Sequence, residues 1–250
     1  MKTILEVQNL CKNYEDTKVL NNINFKVDEG EFIAIMGQSG SGKSTLLYSI
    51  SGMDRPTKGN VLLSGKDISN LEDEKMAEVR LNKMGFIFQN SHLLKNLSIR
   101  DNIVLPGFKS AKLLRDEINQ HADKLMEKTG ITSVATHDIK KVSGGQLQRA
   151  AICRALVNQP DILFGDEPTG SLNSSTTKEV MDIINAINRE GTTVMIVTHD
   201  VKVATRAGRV IFLLDGNIHD ELLLGKYNED ENKSSSREKR LFEWLEKQGF

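Results

Sequence analysis

The stretch FIAIMGQSGSGKSTLL, Phe32–Leu47, decides the fold. Phe32–Met36 is a continuous apolar run, the pattern of a strand buried on both faces. The eight residues after it, GQSGSGKS at Gly37–Ser44, match G-x-x-x-x-G-K-[ST] in full. STLLYSISGM, Ser44–Met53, then reads as a helix. Strand, glycine loop and helix in that order predict a phosphate cradle. The glycines let backbone N–H groups curl around phosphate oxygens, and the helix directs its positive end at them. The candidate binding residues are Gly37, Gln38, Ser39, Gly40, Ser41, Gly42, Lys43, Ser44 and Thr45. Lys43 can reach the β- and γ-phosphates, and the Ser44 hydroxyl can ligate Mg²⁺.

Working outward, ILEVQNL (Ile4–Leu10) and NINFKVDEG (Asn22–Gly30) alternate apolar and polar residues, as half-buried strands do. GNVLLSGKDI (Gly59–Ile68) reads as strand, turn and strand edge, Glu72–Lys83 as a charged helix, and MGFIFQ (Met84–Gln89) as another buried strand. Ser110–Thr129 has a helical period, with Leu113, Leu114, Ile118, Ala122, Leu125 and Met126 at the apolar positions. Gln146–Asn158 is a second expected helix, closed by Pro160. ILFGDEP (Ile162–Pro168) and TVMIVTHD (Thr193–Asp200) are central-strand candidates with a helix, Thr176–Arg189, between them. RVIFLLDGNI (Arg209–Ile218) reads as a hairpin around Asp215–Gly216. Lys226–Ser236 is polar and reads as a linker. REKRLFEWLEKQGF puts Leu241, Trp244, Leu245 and Gln248 on one helical face. Docking on its own domain is the plain reading of that face, and partner binding is the alternative. The pattern implies an α/β core interrupted by a helical insertion.

Composition sets limits. Hydrophobic residues make up 38% and charged residues 27% of 250, an ordinary globular mixture. Net charge is -1, so no overall positive field draws the chain to nucleic acid, although local patches stay open. The longest apolar runs, Phe32–Met36 and Val210–Leu214, suit strands and fall far below the roughly 18 residues of a spanning helix. MKTILEVQNL has no apolar signal-peptide region. Cys11 and Cys153 fit no metal spacing and read as free, buried thiols in a reducing compartment.

Polar groups recur at the ends of the apolar strands. Asp166 places a carboxylate near the expected Mg²⁺ shell, and Glu167 can accept a proton from an attacking water. Taken alone, the Asp-Glu pair is a solvated turn; beside a phosphate loop the functional reading wins. His199 ends TVMIVTH, where a γ-phosphate contact competes with an ordinary surface histidine. Gln89 ends MGFIFQ and by itself reads as a polar strand terminus. VSGGQLQRA, Val142–Ala150, opens a helix with Ser143, Gly144, Gly145 and Gln146, a second device for an anion.

Phosphate loop, strand-end glutamine, SGGQ, strand–Asp–Glu and strand-end histidine, in that order, resemble the ATP-binding cassette (ABC) ATPases over about residues 1–220. A guanine-reading Asn-Lys-x-Asp is missing, and phosphate-loop kinases lack SGGQ. The resemblance implies an α/β fold: a RecA-like ATPase core, an antiparallel β subdomain and an inserted helical subdomain. The cassette would span residues 1–225, with core and β subdomain at 1–89 and 159–225 and helices at 90–158. A linker at 226–236 and an amphipathic helix at 237–250 would follow. The resemblance makes Gly37–Thr45 the Walker A loop, Asp166 the Walker B aspartate (on Mg²⁺ through water) and Glu167 the general base. Gln89 becomes the γ-phosphate and Mg²⁺ sensor beside a transmembrane partner, and His199 the switch histidine. Tyr14 matches the adenine-stacking aromatic, against a half-buried strand-end tyrosine as the alternative. Ser143, Gly144, Gly145 and Gln146 become the signature motif, which contacts the ATP of a second copy in a head-to-tail homodimer. ATP and Mg²⁺ are the implied cofactors.

SGSGKSTLL, GFIFQ, VSGGQLQRAAICRAL and GDEPTGSLNS are closest in pattern to the macrolide-export and lipoprotein-release class. TGSLNS and the REKR…WLEKQGF tail look most like the bacitracin-export type. That likeness implies an antimicrobial-peptide resistance ATPase on the cytoplasmic face of the membrane. It would power a separate permease with a large extracellular domain, with a sensor histidine kinase as a further candidate partner. The competing reading is a mechanotransmitting cassette of the cell-division or lipoprotein-release type. Asn90–Leu105 would hold the groove for the permease, with His92, Leu93 and Leu94 as candidates and ordinary subdomain packing as the equal alternative. One departure stands out: Asn173 occupies a position where the family has aspartate. Asparagine keeps an acceptor and loses the charge.

Overall fold

Strand patterning sorts the chain into two sheets. The computed structural model describes residues 2–110, 112–228 and 236–250. The alternating strands β1 (Thr3–Tyr14) and β2 (Thr17–Asp28) join β4 (Lys58–Leu63) and β5 (Lys66–Asp67) in an antiparallel sheet of order β2-β1-β4-β5. The largely apolar runs β3 (Phe32–Met36), β6 (Met84–Phe88), β7 (Ile162–Asp166), β8 (Thr193–Val197) and β9 (Arg209–Leu214) form a second sheet, to which the mostly polar β10 (Asn217–Leu223) adds at the edge beside β9. Its order is β10-β9-β3-β8-β7-β6, parallel except for the β9–β10 hairpin. All five residues of β3 and of β8 are buried, as strands covered on both faces require.

The two-residue period of β3 divides the core. Ile33 and Ile35 face a cluster shared with β1, β2, β4 and α1 (Lys43–Ile50). Phe32, Ala34 and Met36 face the helical side. There lie α3 (Ile99–Ser110), α4 (Arg115–Lys128), α5 (Gly144–Leu156) and α6 (Ser174–Arg189); α2 (Asp73–Lys83) leads into β6. The β9–β10 turn has Asp215 and Gly216 both at positive φ, 45° and 73°, as a two-residue type I′ hairpin demands.

The middle differs from the single helix expected over Ser110–Thr129. Ser110 ends α3, and α4 begins only at Arg115. The boundary is chemical: the Glu117 carboxylate accepts from the Leu114 backbone N–H at 2.8 Å, closing a cap. Leu113 and Leu114 therefore lie outside the buried stripe and are exposed, while Ile118, Ala122, Leu125 and Met126 are buried. α3 begins at its own cap, where Ser98 Oγ accepts from Asp101 N at 3.1 Å. Leu93 packs into the core, which favours the packing alternative for that residue; Leu94 is exposed.

The expected linker falls largely on residues 229–235, outside the described residues. α8 (Ser236–Lys247) docks on its own domain through buried Leu241 and Leu245. The Arg237 guanidinium donates to the carbonyls of Thr205, Ala207, Leu224 and Gly225. Trp244 Nε1 and Gln248 Nε2 both donate to Asp220 Oδ2, at 2.9 and 3.0 Å. Both cysteines are free; Cys153 is buried, but Cys11, contrary to expectation, is only partly so, because on β1 it alternates with the buried Leu10 and Lys12 and so faces the less covered side of the sheet. Among the described residues no helix is long and apolar enough to cross a membrane.

Candidate functional site

Parallel strands bring their carboxyl ends to one edge of the sheet, where open α/β sheets bind ligands. Here β3 delivers Gly37, β6 delivers Gln89, β7 delivers Asp166 and Glu167, and Val197 of β8 leads to His199. Residues separated by up to 162 positions in sequence are thereby collected at one rim.

The loop after β3 is tightly constrained. A Cβ on Gly37 would lie 2.1 Å from the Leu213 carbonyl oxygen, so only glycine fits. Gly42, the residue before α1, has φ 98° and lies against Val19 and Leu20. Ser41 N donates to Gln38 O, and Ser41 O accepts from Gly216 N, both at 3.2 Å, which ties the loop to the β9–β10 turn. The Lys43 ammonium spans the loop, donating to Gly37 O at 3.0 Å and Gln38 O at 2.8 Å. Burial lowers its pKa, and the charges of Glu167 and Asp166 oppose that shift. Ser39 and Gly40 are exposed at the loop's tip, and Thr45 continues α1.

Ser44 Oγ donates to Asp166 Oδ1 at 2.9 Å across 122 residues. A hydroxyl and a carboxylate are hard oxygen donors of the kind Mg²⁺ takes while keeping waters and substrate phosphates as its other ligands. Among the described residues no group of three or more His, Cys, Asp and Glu forms a protein-only cage. The donor set therefore fits a cation shared with phosphate.

Glu167 adopts a left-handed backbone, φ 50°, immediately after β7. Such strain in a non-glycine residue costs on the order of 1–3 kcal/mol and persists where its surroundings hold it. The Glu167 N–H donates to Val197 O, and its carbonyl accepts from Gly170 N, both at 3.0 Å. Its carboxylate meets His199 Nδ1 at 2.8 Å. Gln89 approaches from the other side. A Cβ on Gly170 would lie 3.0 Å from Gln89 Nε2 and 3.3 Å from Glu167 Oε2, so Gly170 is the spacer between these side chains.

Ser143 caps α5. Its Oγ accepts from Gln146 N at 3.3 Å, and its own N–H donates to Gln146 Oε1 at 2.9 Å. Gly144 and Gly145 lie against Leu172 and Thr176, and a Cβ on Gly145 would meet Thr176 Cγ2 at 2.5 Å. Among the described residues no hydrogen bond joins Ser143–Gln146 to Gly37–Thr45. Asn173 caps α6, its Oδ1 accepting from Thr176 N at 2.9 Å. Aspartate and asparagine serve that cap about equally. Tyr14 is 46% exposed and donates to Asp54 Oδ2. That hydrogen bond, more than burial, raises its pKa. The Lys12 ammonium sits 4.7 Å from its ring centroid.

Several contacts at the site lie outside the roles the motifs assign. Tyr48 OH donates to Asp166 Oδ2 at 2.5 Å; burial first, then that bond, pushes the phenol up to about 12. Gln148 is buried and donates to Phe88 O and Pro168 O at 2.9 and 2.6 Å, joining α5 to the ends of two strands. Arg154 donates to Ser91 O and His92 O, each at 2.7 Å, holding the segment after Gln89. Gln38 Nε2 donates to Gly249 O at 3.0 Å, so the segment after α8 touches the phosphate loop. A tyrosine four residues after Ser44 was visible in the sequence; the other contacts had no local signal.

A family model described as ABC transporter matches residues 20–170. The uncharacterized ABC transporter ATP-binding protein YknY of Bacillus subtilis (strain 168) is 41% identical over 219 residues, 86% of this chain and 95% of that protein. The dimeric structure of a post-hydrolysis state of the ATP-binding cassette MJ0796 bound to ADP and Pi shows 35% identity and a TM-score of 0.82, over 90% of this chain and all of that one. The structure of cbiO1 from Clostridium perfringens, part of the ABC transporter complex cbiONQ, shows 30% identity and a TM-score of 0.82, over 98% of this chain and all of that one.

Proposed function

The chain belongs to the ABC transporter family, and we propose that it is the ATP-hydrolysing subunit of a membrane transporter. The observation that carries this is the meeting of Ser44 with Asp166, beside Glu167 and His199, at the mouth of the glycine loop. ATP would lie along Gly37–Thr45, its β- and γ-phosphates facing the loop amides and Lys43, with Tyr14 against adenine. Ser44 and Asp166 would hold Mg²⁺, with Gln89 nearby, and the cation would neutralise charge developing on the phosphates. Glu167 accepts a proton from water as the water oxygen attacks the γ-phosphorus. The bond from that phosphorus to the β,γ-bridging oxygen breaks, leaving ADP and inorganic phosphate. His199, which meets the Glu167 carboxylate, would contact the γ-phosphate.

Ser143 and its two glycines make no hydrogen bond to their own phosphate loop. In our reading they serve the ATP of a second copy, as the dimeric organisation of MJ0796 supports. ATP then closes a homodimer, and hydrolysis removes the contact that held it. Glu167→Gln, which keeps the size of the side chain but not its basicity, should accumulate an ATP-dependent dimer with hydrolysis slowed about 10²–10⁴-fold. Size-exclusion chromatography with light scattering reads the dimer. Normal turnover in that variant means that another residue is the base.

A permease would engage the groove of about 360 Å³ between α2, β6, α3 and α5, lined by Met53, Leu81, Phe86, Phe88, Pro106 and Arg154. Arg154 links that groove to the backbone after Gln89. Association with a permease would place the protein at the cytoplasmic face of the membrane. The motif likeness and the tail support a role in antimicrobial-peptide resistance, with a sensor kinase as a further partner. Deleting the gene should then sensitise cells to bacitracin- or lantibiotic-like peptides. Unchanged sensitivity with a septation defect would instead support the mechanotransmitting reading.

A further inference from the structure

Ser44 and Tyr48 stand four residues apart on α1, one turn above the other on the same helix face. Their hydroxyls end on the same carboxylate: Ser44 Oγ donates to Asp166 Oδ1 at 2.9 Å, and Tyr48 OH donates to Asp166 Oδ2 at 2.5 Å. The phosphate-loop motif asks for the first hydroxyl and says nothing of the second. The Tyr48 ring packs against the cluster beneath α1, and its carbonyl accepts from Met53 N at 3.0 Å and Asp54 N at 3.1 Å. The phenol is therefore anchored at both ends.

We propose that Tyr48 is a positioning residue for the divalent cation, fixing the rotation of the Asp166 carboxylate so that Oδ1 stays directed at Ser44. A carboxylate held at one oxygen can still swing about its Cβ–Cγ bond; held at both, it cannot. Orientation of that kind by an outer partner sustains metal affinity, and losing such a partner commonly costs 10–100-fold. The inference rests on the reading that Ser44 and Asp166 hold the cation.

The test uses the full chain with ADP, so that no turnover is involved, and Mn²⁺ as a paramagnetic probe whose binding is followed by EPR. Tyr48→Phe removes one oxygen and keeps the ring. Its half-saturating Mn²⁺ should rise about tenfold or more, while ADP affinity in EDTA stays at the wild-type value. Tyr48→His, which keeps a ring donor, should recover part of the shift and serves as the second variant if the first folds poorly. An unchanged Mn²⁺ midpoint in Tyr48→Phe overturns the proposal, including the case in which only its melting temperature falls. Asp166→Asn separates the two levels. If it leaves Mn²⁺ binding intact, the cation site itself is misassigned; if it abolishes binding while Tyr48→Phe has no effect, only the role of Tyr48 fails.

Discussion

Replacing Ser143 with alanine separates two roles of one side chain. In the fold, Ser143 Oγ accepts a single, long hydrogen bond from Gln146 N, 3.3 Å, at an exposed helix start. The reciprocal bond from Ser143 N to Gln146 Oε1 uses backbone and survives the substitution. Loss of the cap should cost about 0.5–1 kcal/mol, which lowers the melting temperature of a chain this size by roughly 2–4 °C or less. In the proposed catalysis Ser143 would be one donor to a partner's γ-phosphate, and removing such a donor costs about 10²–10³ in rate, roughly 2.7–4 kcal/mol. The functional loss should therefore exceed the structural one severalfold. Steady-state phosphate release measures the first and calorimetry the second. ATP affinity, measured on chain dilute enough to be monomeric, should not change. Weaker ATP binding by the isolated monomer would refute the reasoning, because it would place Ser143 at its own chain's nucleotide.

The Asn173 cap on α6 should tolerate aspartate with little change in melting temperature, since both side chains accept from Thr176 N, while alanine should cost about 1 kcal/mol. Equal melting temperatures for all three would remove the cap from the account. Asp220→Ala removes the acceptor shared by Trp244 and Gln248, and Trp244 is the only tryptophan. Its emission should shift to the red, with a stability loss of about 1 kcal/mol; an unshifted spectrum would mean that α8 does not dock through Asp220.

What the sequence made legible was periodic or chemical and local. The apolar runs at Phe32–Met36, Ile162–Phe164 and Thr193–Val197 became the parallel core because a strand buried on both faces has no polar alternate. Polar groups follow β6, β7 and β8, so the parallel topology gathers Gln89, Asp166, Glu167 and His199 at one rim. The boundary at Arg115 was missed because periodicity counted Leu113 and Leu114 as one stripe with Ile118, whereas the acidic first turn, Asp116 and Glu117, marks the true start. The Ser98–Asp101 cap gave the same signal for α3. Gly170 between Gln89 and Glu167, and Gln38 against Gly249, depend on long-range packing that no local pattern encodes.

In the proposed dimer each ATP site is built from two chains, an arrangement that complementation between two variants makes measurable. Lys43→Ala disables the phosphate loop and Ser143→Ala the opposing motif, so each variant alone should be nearly inactive. When equal amounts are mixed, a heterodimer unites the intact loop of one chain with the intact motif of the other. About half the dimers would be mixed, with one sound site each, so activity should return to about a quarter of wild type. If the mixture stays as inactive as its components, although light scattering shows that mixed dimers form, Ser143 and Lys43 act within one chain and the account is wrong.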